Sequence, residues 1–559
     1  MQLERQSEIP DTADTIAGTP VTGAAPLAVG TITTASAGTV VAYPYTGDYR
    51  VDVLLDSTPA SDFSVTSRWN YGAPLGTQGY TITYSFMKSV PSYGGNDSST
   101  GISGSFGFEV FTNAQKQATR DIFAHLSAEL GINFQEVTET GDTIGQIRLG
   151  QNNQSAAGSA AYTFLPNTAD DGVQGYGLSG DLWFDYTYAP NHDLTPGGEG
   201  YETLIHEIGH ALGLKHPGNY NVGDGSSSQP GNYLAAAEDN SYYTVMSYTY
   251  ALEGRDWYGI YDLLALKTLY GADAAYQAGA TTYSFTDADG RALKIIDDAS
   301  GSDTVDLSAL TLGANIDLRP GAFSSIGRTE LGTPSERNLS IDLLTSIENV
   351  TGTSYADHII LNSGTASANG GAGIDTVEYL LGRAAYTIAP NGNSIQVTAG
   401  GVNDSLVNVE RLQFTDGRFA FDFAGNAGLS VKLIGAVLGQ GASPDPFIAG
   451  VGLFYLDAGT PYEDLMAGAI NYQLGASHTH AAFVNLIYTN VAGFAPAPDQ
   501  LAYWVGELDA GHFTEAGLAV LAADTSYNLA RVNFTGQSLQ GLTYTPYGSS
   551  GGGETNPNA

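Results

Sequence analysis

Three of the chain's nine histidines fall within eleven positions: His206, His210 and His216, in the stretch ETLIHEIGHALGLKHPGNY. On a helix, the spacing of His206 and His210 puts both imidazoles on one face, a single turn apart and near enough to share a metal ion. Glu207 leans toward the same ion without having to bind it, where a base for a metal-bound water must sit. Gly213 can take a left-handed backbone conformation and end the helix, so that the chain bends and His216 returns as a third ligand. Three neutral nitrogens and one open position form the arrangement of a catalytic Zn2+, whose water drops to a pKa of about 7. HExxH alone also occurs by chance in ordinary helices, but HExxHxxGxxH fixes five positions in eleven and is far more specific.

Elements able to hold this cluster can be read on either side of it. YRVDVLLDS and YTITYSFM alternate as strands do, and TNAQKQATRDIFAHLSAELG is predicted helical. Thr112 can cap its start, Ile122, Leu126 and Leu130 form one stripe, and Gly131 marks the end. INFQEV, GQIRLG and GDLWFDY are further strand candidates, which makes residues 46–275 a mixed α+β domain. From 276 to 424 the helical period gives way to short β-branched runs separated by Gly, Asp and Asn. From 425 to 545 it returns, as an all-α module. Residues 1–45, rich in Ala, Thr, Gly and Pro, read as a leader or propeptide, and 546–559 as a flexible tail.

Composition narrows the function. With 559 residues, 42% of them apolar, the chain is globular and long enough for two to four domains. Its 58 acidic against 20 basic residues, net charge −38, leave no basic face for nucleic acid. The carboxylates are either solvated surface or oxygen ligands for calcium. The chain has no cysteine, which excludes disulfides and thiolate zinc sites. No cleavable N-terminal signal opens the sequence and no apolar run is long enough for a membrane span.

The cluster and its surroundings resemble the metzincin metalloproteases, and within them the serralysin branch of secreted bacterial zinc endopeptidases. Besides HExxHxxGxxH, the chain carries YYTVMSYTY, with Met246 thirty residues after His216. RWNYG, SGDLWF and GIYDLLALKTLYGAD also resemble serralysin segments, so that the likeness runs nearly unbroken from Tyr49 to Asp273. The resemblance implies that His206, His210 and His216 hold zinc, that Glu207 is base and then acid, and that Met246 forms the apolar floor. Tyr248 would be a displaceable zinc ligand that stabilises the oxyanion; otherwise it is one packed tyrosine among 34.

In the acidic middle, GGAGIDTVE (Gly370, Gly371, Gly373 and Asp375) matches the nonapeptide of a calcium-binding parallel β-roll. A glycine-rich hairpin is the plain alternative. Gly352 and Asp357, and Asp298, Asp303 and Asp306, repeat the same turn character. The chain departs from the serralysin pattern in keeping one clean copy and one or two eroded ones, so fewer or weaker Ca2+ sites are expected.

Toward the C-terminus the chain resembles a helical module of secreted and surface-layer-associated bacterial proteins. Tyr503, Trp504 and Leu508 are expected in its core, and His478 and His480 in a polar turn. Resemblance further implies type I export, a monomer, and protein or peptide substrates. The tail NPNA and the long leader depart from the family; with no cysteine, latency would need Asp11, Asp14 or steric cover over the zinc. The reading is a secreted zinc endopeptidase with one catalytic Zn2+ and one or more structural Ca2+. The alternative is a non-catalytic calcium-binding surface protein with a vestigial protease domain.

Overall fold

A computed structural model describes residues 46–55, 67–70, 73–91, 107–140, 143–155, 158–166, 179–218, 233–362, 364 and 366–548. The expected leader 1–45, with Asp11 and Asp14, and the tail beyond Gly548 lie outside the described residues.

The first part is built on a five-stranded sheet. Helix α1 (Tyr49–Asp52) precedes β1 (Thr81–Phe86), α2 (Asn113–Leu130), β2 (Asn133–Glu136), β3 (Ile147–Asn152), β4 (Ala161–Thr163) and β5 (Leu182–Asp185). The strand order is β2-β1-β3-β5-β4, parallel except for β4, which runs antiparallel to β5 at the edge. Helices α3 (Glu199–Ala211) and α4 (Ile260–Tyr270) follow. Helix α2 starts and stops as its sequence dictates. Thr112 and Gln115 form a reciprocal capping box, Gly131 ends the helix at φ +62°, and Ile122, Leu126 and Leu130 are buried.

Tyr49–Leu55, the described part of YRVDVLLDS, is not a strand. Asp48 caps Tyr49–Asp52 by accepting the Arg50 amide, and Val51, Val53, Leu54 and Leu55 are all buried, so the alternation that suggested a strand has no exposed face behind it. The segment still serves the site, because Leu55 bridges Leu214 and the Leu54 carbonyl accepts the Lys215 amide at 2.7 Å.

In the middle part, three-residue strands stack in register into two parallel ladders. One contains Thr304–Asp306, Asn349–Thr351 and Ser367–Asn369; the other contains Asn315–Asp317, His358–Ile360 and Thr376–Glu378. Each strand turns its central residue inward: Val305, Val350, Ala368, Ile316, Ile359 and Val377 are buried in one core. This is a parallel β-roll, but it does not run unbroken to residue 424. Strands Thr387–Asn391, Ser394–Ala399 and Val402–Val407 are antiparallel neighbours, joined by turns at Gly392 and Gly400–Gly401 that adopt positive φ.

Among the described residues the C-terminal part forms eight helices, from Asn426–Ala436 to Phe534–Gln540, around a core of its own. One strand closes it: Leu542–Tyr544 returns to pair with Gly417–Ala420 of the roll. Buried Arg411 ties the two parts, reaching Asp422 from the roll's end and Asp457 from the second helix. Leu508 is in the core and Trp504 packs partly against it, but Tyr503 is 59% exposed. Helical spacing placed Tyr503 inside because its neighbour in the sequence is apolar too; adjacent residues lie about 100° apart on a helix, and only one stripe faces in.

Candidate active site

Helix α3 carries Tyr201 to Ala211 along the wall of the first core, with Leu204, Ile205 and Ile208 fully buried on one side. That anchoring points His206 and His210 the other way, one turn apart. Their rings sit 4.8 Å centroid to centroid and nearly perpendicular. At Gly213 the backbone turns through φ +106°, and a Cβ there would collide with the Ser67 carbonyl oxygen. Only glycine fits the bend, and beyond it Leu214 is held against Leu55 while His216 comes back over the helix.

The three imidazoles converge. His206 Nε2 lies 3.2 Å and His210 Nε2 3.0 Å from His216 Nε2. Among the described residues they are the one trio of His, Cys, Asp or Glu ligand atoms within 4.8 Å of each other. The opposite nitrogens decide the tautomers: His206 Nδ1 is 2.8 Å from the Val245 carbonyl and His210 Nδ1 is 2.7 Å from the Leu214 carbonyl. A carbonyl only accepts, so both Nδ1 carry hydrogen and both Nε2 turn lone pairs inward. Burial lowers His206 to a pKa of about 4, and burial with the two neighbouring imidazoles pushes His210 well below the usual range, so protons are poorly placed to fill the gap. A shared divalent cation suits these donors.

Glu207 is 5% exposed beside this cluster, and its Oε2 is buried without a hydrogen-bond partner. Burial raises its carboxyl to about 8. The Thr163 hydroxyl opposes that rise, and a carboxyl raised by burial is a stronger base once ionised. Tyr248 lies over the imidazoles, 4.4 Å from the His216 ring and 6.0 Å from the His206 ring, with its phenol pushed up to about 12 chiefly by burial. Met246 is fully buried under the helix; a Cβ on Gly209 would stand 2.8 Å from its sulfur.

Two contributors escape a reading of the motif alone. Asp262 in the first turn of α4 is fully buried and accepts from the Thr244 hydroxyl (2.5 Å) and from the Val245 and Gly259 amides (2.7 Å each). It therefore fixes Val245, whose carbonyl holds His206, and the Thr244 hydroxyl it anchors accepts the Met246 amide of the peptide that bears that carbonyl. Tyr258 donates to the Ile205 carbonyl at 2.9 Å and braces α3 from below. A single acid in the otherwise apolar run of α4 was the available signal for the first; nothing marked the second. Asp262→Ala should leave three buried donors unsatisfied and cost about 3 kcal/mol or more, measured by urea denaturation.

The residues expected to bind calcium are distributed along the roll. Asp303, Asp357 and Asp375 are buried on its turns and pin neighbouring rungs by accepting the Thr281, Ala314 and Asp357 amides. Asp303 Oδ2 and Asp375 Oδ2 receive no hydrogen bond, and burial lifts Asp375 to about 8 and Asp357 to about 6. A Cβ on Gly352 or Gly370 would approach the carboxylate of Asp357 or Asp375 to 2.5 Å, and Gly371 and Gly373 hold positive φ. Glycine carbonyls and carboxylates thus crowd together on this edge, a donor set that suits calcium. Asp298 stands close enough to Asp303 to add to the rise that burial causes there, while Asp306 is held by its own turn. Asp298 accepts from the Tyr283 hydroxyl and the Ser300 amide, and Asp306 caps the Ser308 amide. Residues an odd number apart in an extended run face opposite ways, so Asp306 turns away from Asp303 and a turn amide claims its side chain. His478 and His480 pair with Glu515 and Asp509, at 2.7 Å each.

A family model described as the peptidase M10 serralysin C-terminal domain matches residues 261–433, from α4 through the roll into the first helix beyond it. The metallopeptidase AprA of Pseudomonas marginalis is 32% identical over 307 residues, covering 50% of this chain and 60% of its own length. Serralysin of Proteus mirabilis is 34% identical over 315 residues, covering 51% and 60%. Serralysin C of Dickeya chrysanthemi is 32% identical over 335 residues, covering 56% and 64%. The chain spans about 60% of the length of such relatives.

Proposed function

We propose, from its similarity to the serralysin-type metallopeptidases, that this chain is a secreted zinc-dependent endopeptidase acting on proteins. One observation carries the reading: three imidazole Nε2 atoms turn toward a common point beside the buried carboxyl of Glu207. His206, His210 and His216 would hold the ion, with Tyr248 near its open side. Zinc bound there would supply the Lewis acidity that polarises a scissile carbonyl and makes water a nucleophile near neutral pH.

The protein's own groups do the rest. The Val245 and Leu214 carbonyls keep His206 and His210 in the donor tautomer and fix their ring planes. Glu207 takes the proton of the attacking water on its free Oε2 and returns it to the leaving amine. The Tyr248 hydroxyl donates to the oxyanion. Strand β4 packs against α3, and among the described residues no strand pairs with its outer edge, which would offer an extended substrate backbone a row of hydrogen-bonding partners.

The buried carboxylates and glycine turns of the roll would bind structural Ca2+, centred on Gly352, Asp357, Gly370 and Asp375. Adding EGTA should then lower the stability of the unaltered protein by about 2–3 kcal/mol at calcium levels near one hundred times Kd, seen as a shifted calorimetric transition. Asp375→Ala should abolish that shift. Identical melting with and without calcium would contradict the assignment. Export by a one-step machinery and action as a monomer belong to the same reading. Among the described residues no helix is long and apolar enough to cross a membrane. The function is tested by casein hydrolysis: activity should vanish with a zinc chelator and return with zinc, and hydrolysis that ignores the chelator would overturn it.

A further inference from the structure

On the peptidase reading proposed above, on which this rests, we infer that Asp239 is a positioning residue for Tyr248. Through the hydroxyl of Ser247 it fixes the backbone from which the Tyr248 phenol is delivered to the oxyanion. Tyr248 needs such a support because it is 45% exposed, while Val245, Met246 and Ser247 just before it are buried. Its ring packs on the imidazoles of His216 and His206 at 4.4 and 6.0 Å between centroids. Ring packing is loose about where a hydroxyl points, and a fixed backbone narrows the choice.

Ser247 grips that backbone on both sides of Tyr248. Its hydroxyl accepts the Thr249 amide at 3.1 Å, a bond that reaches across Tyr248, and donates to Asp239 Oδ1 at 2.6 Å. A serine hydroxyl has one hydrogen and rotates to suit its partners. Because Asp239 takes the hydrogen, a lone pair is left facing the Thr249 amide; without the carboxylate the hydroxyl turns freely and the turn around Tyr248 loses its anchor. The 2.6 Å separation is that of a charge-assisted bond, among the stronger kinds. Two further bonds stitch the same segments. The Thr249 carbonyl accepts the Ser241 amide at 2.9 Å, and the Ser241 hydroxyl accepts the Ala251 amide at 2.7 Å. Residues 239–241 are thus laced to 247–251, with Tyr248 inside the laced stretch.

The adjacent acid is employed elsewhere: Glu238 accepts the Tyr49 hydroxyl at 3.0 Å. Replacing it removes a negative charge from the same turn while leaving the bond to Ser247 in place, which makes Glu238→Ala a control. A donor that acts only once the oxyanion forms lowers the barrier without tightening the ground state. A misplaced Tyr248 therefore costs turnover and leaves substrate binding alone.

The test measures kcat and KM on a peptide substrate for the matured, zinc-loaded protein, and hydrogen exchange of the Thr249 amide for the metal-free one. Asp239→Ala should lower kcat by about tenfold to a hundredfold at unchanged KM, the scale of a misplaced reacting group. It should quicken Thr249 exchange by about fivefold or more, as for loss of one hydrogen bond. Asp239→Asn, whose amide oxygen still accepts the Ser247 hydroxyl, should restore most of both. Ser247→Ala should match Asp239→Ala and carries the test if that variant does not fold. Added to Tyr248→Phe, Asp239→Ala should cost no further turnover. Unaltered Thr249 exchange in Asp239→Ala, a further loss of turnover in the Tyr248→Phe background, or an equal loss in Glu238→Ala would overturn the inference. Quickened exchange in a protein whose turnover Tyr248→Phe does not change would instead keep the anchor and overturn the oxyanion role assigned to Tyr248.

Discussion

Glu207→Gln should lower peptide hydrolysis by on the order of 10²- to 10⁴-fold while the protein still binds one zinc, the usual consequence of losing a general base. The substitution keeps the size of the side chain and removes its ability to accept a proton. Nothing in the metal cluster needs to move, because His206 and His210 are oriented by the Val245 and Leu214 carbonyls and not by Glu207. Turnover near the unaltered rate in a metal-loaded variant would show that another group takes the proton.

Gly213→Ala should abolish activity by a different route. The added methyl group meets the Ser67 carbonyl, which is backbone and cannot rotate away, at a φ of +106° that alanine rarely adopts. Overpacking and backbone strain together should cost about 3 kcal/mol or more, and the bend that returns His216 is where the chain would yield. The expected protein unfolds at lower urea and has lost its zinc. A normally stable Gly213→Ala with full zinc occupancy would mean that the bend is far more tolerant than its surroundings indicate.

These two residues also show what a sequence makes legible. The histidine cluster was readable because its geometry is local: a helical turn brings His206 to His210, and one glycine brings back His216, all within eleven residues. Helix α2 was readable for the same reason, with Thr112 and Gly131 as its own punctuation. What was hidden depends on contacts between distant segments. Asp262 acts on His206 through the residue Val245, and Tyr258 acts through the Ile205 carbonyl; neither spacing has a period to detect. Tyr49–Asp52 was misread because a short run of buried residues looks alike whether it lies in a strand or in a single helical turn. The roll was legible from its glycines and aspartates, but which carboxylates remain free depends on the neighbouring rung. That is why Asp375 keeps an open oxygen while Asp306 spends its own on the Ser308 amide.

The reading of the whole chain depends on a cation sitting where the imidazole lone pairs meet. Metal analysis of the purified, matured protein alongside its His210→Ala variant puts this to the test. One equivalent of zinc in the first and a small fraction of it in the second, with hydrolysis following the metal, is the expected result. A protein that hydrolyses substrate while holding no zinc, or that keeps its full equivalent without His210, would contradict the assignment.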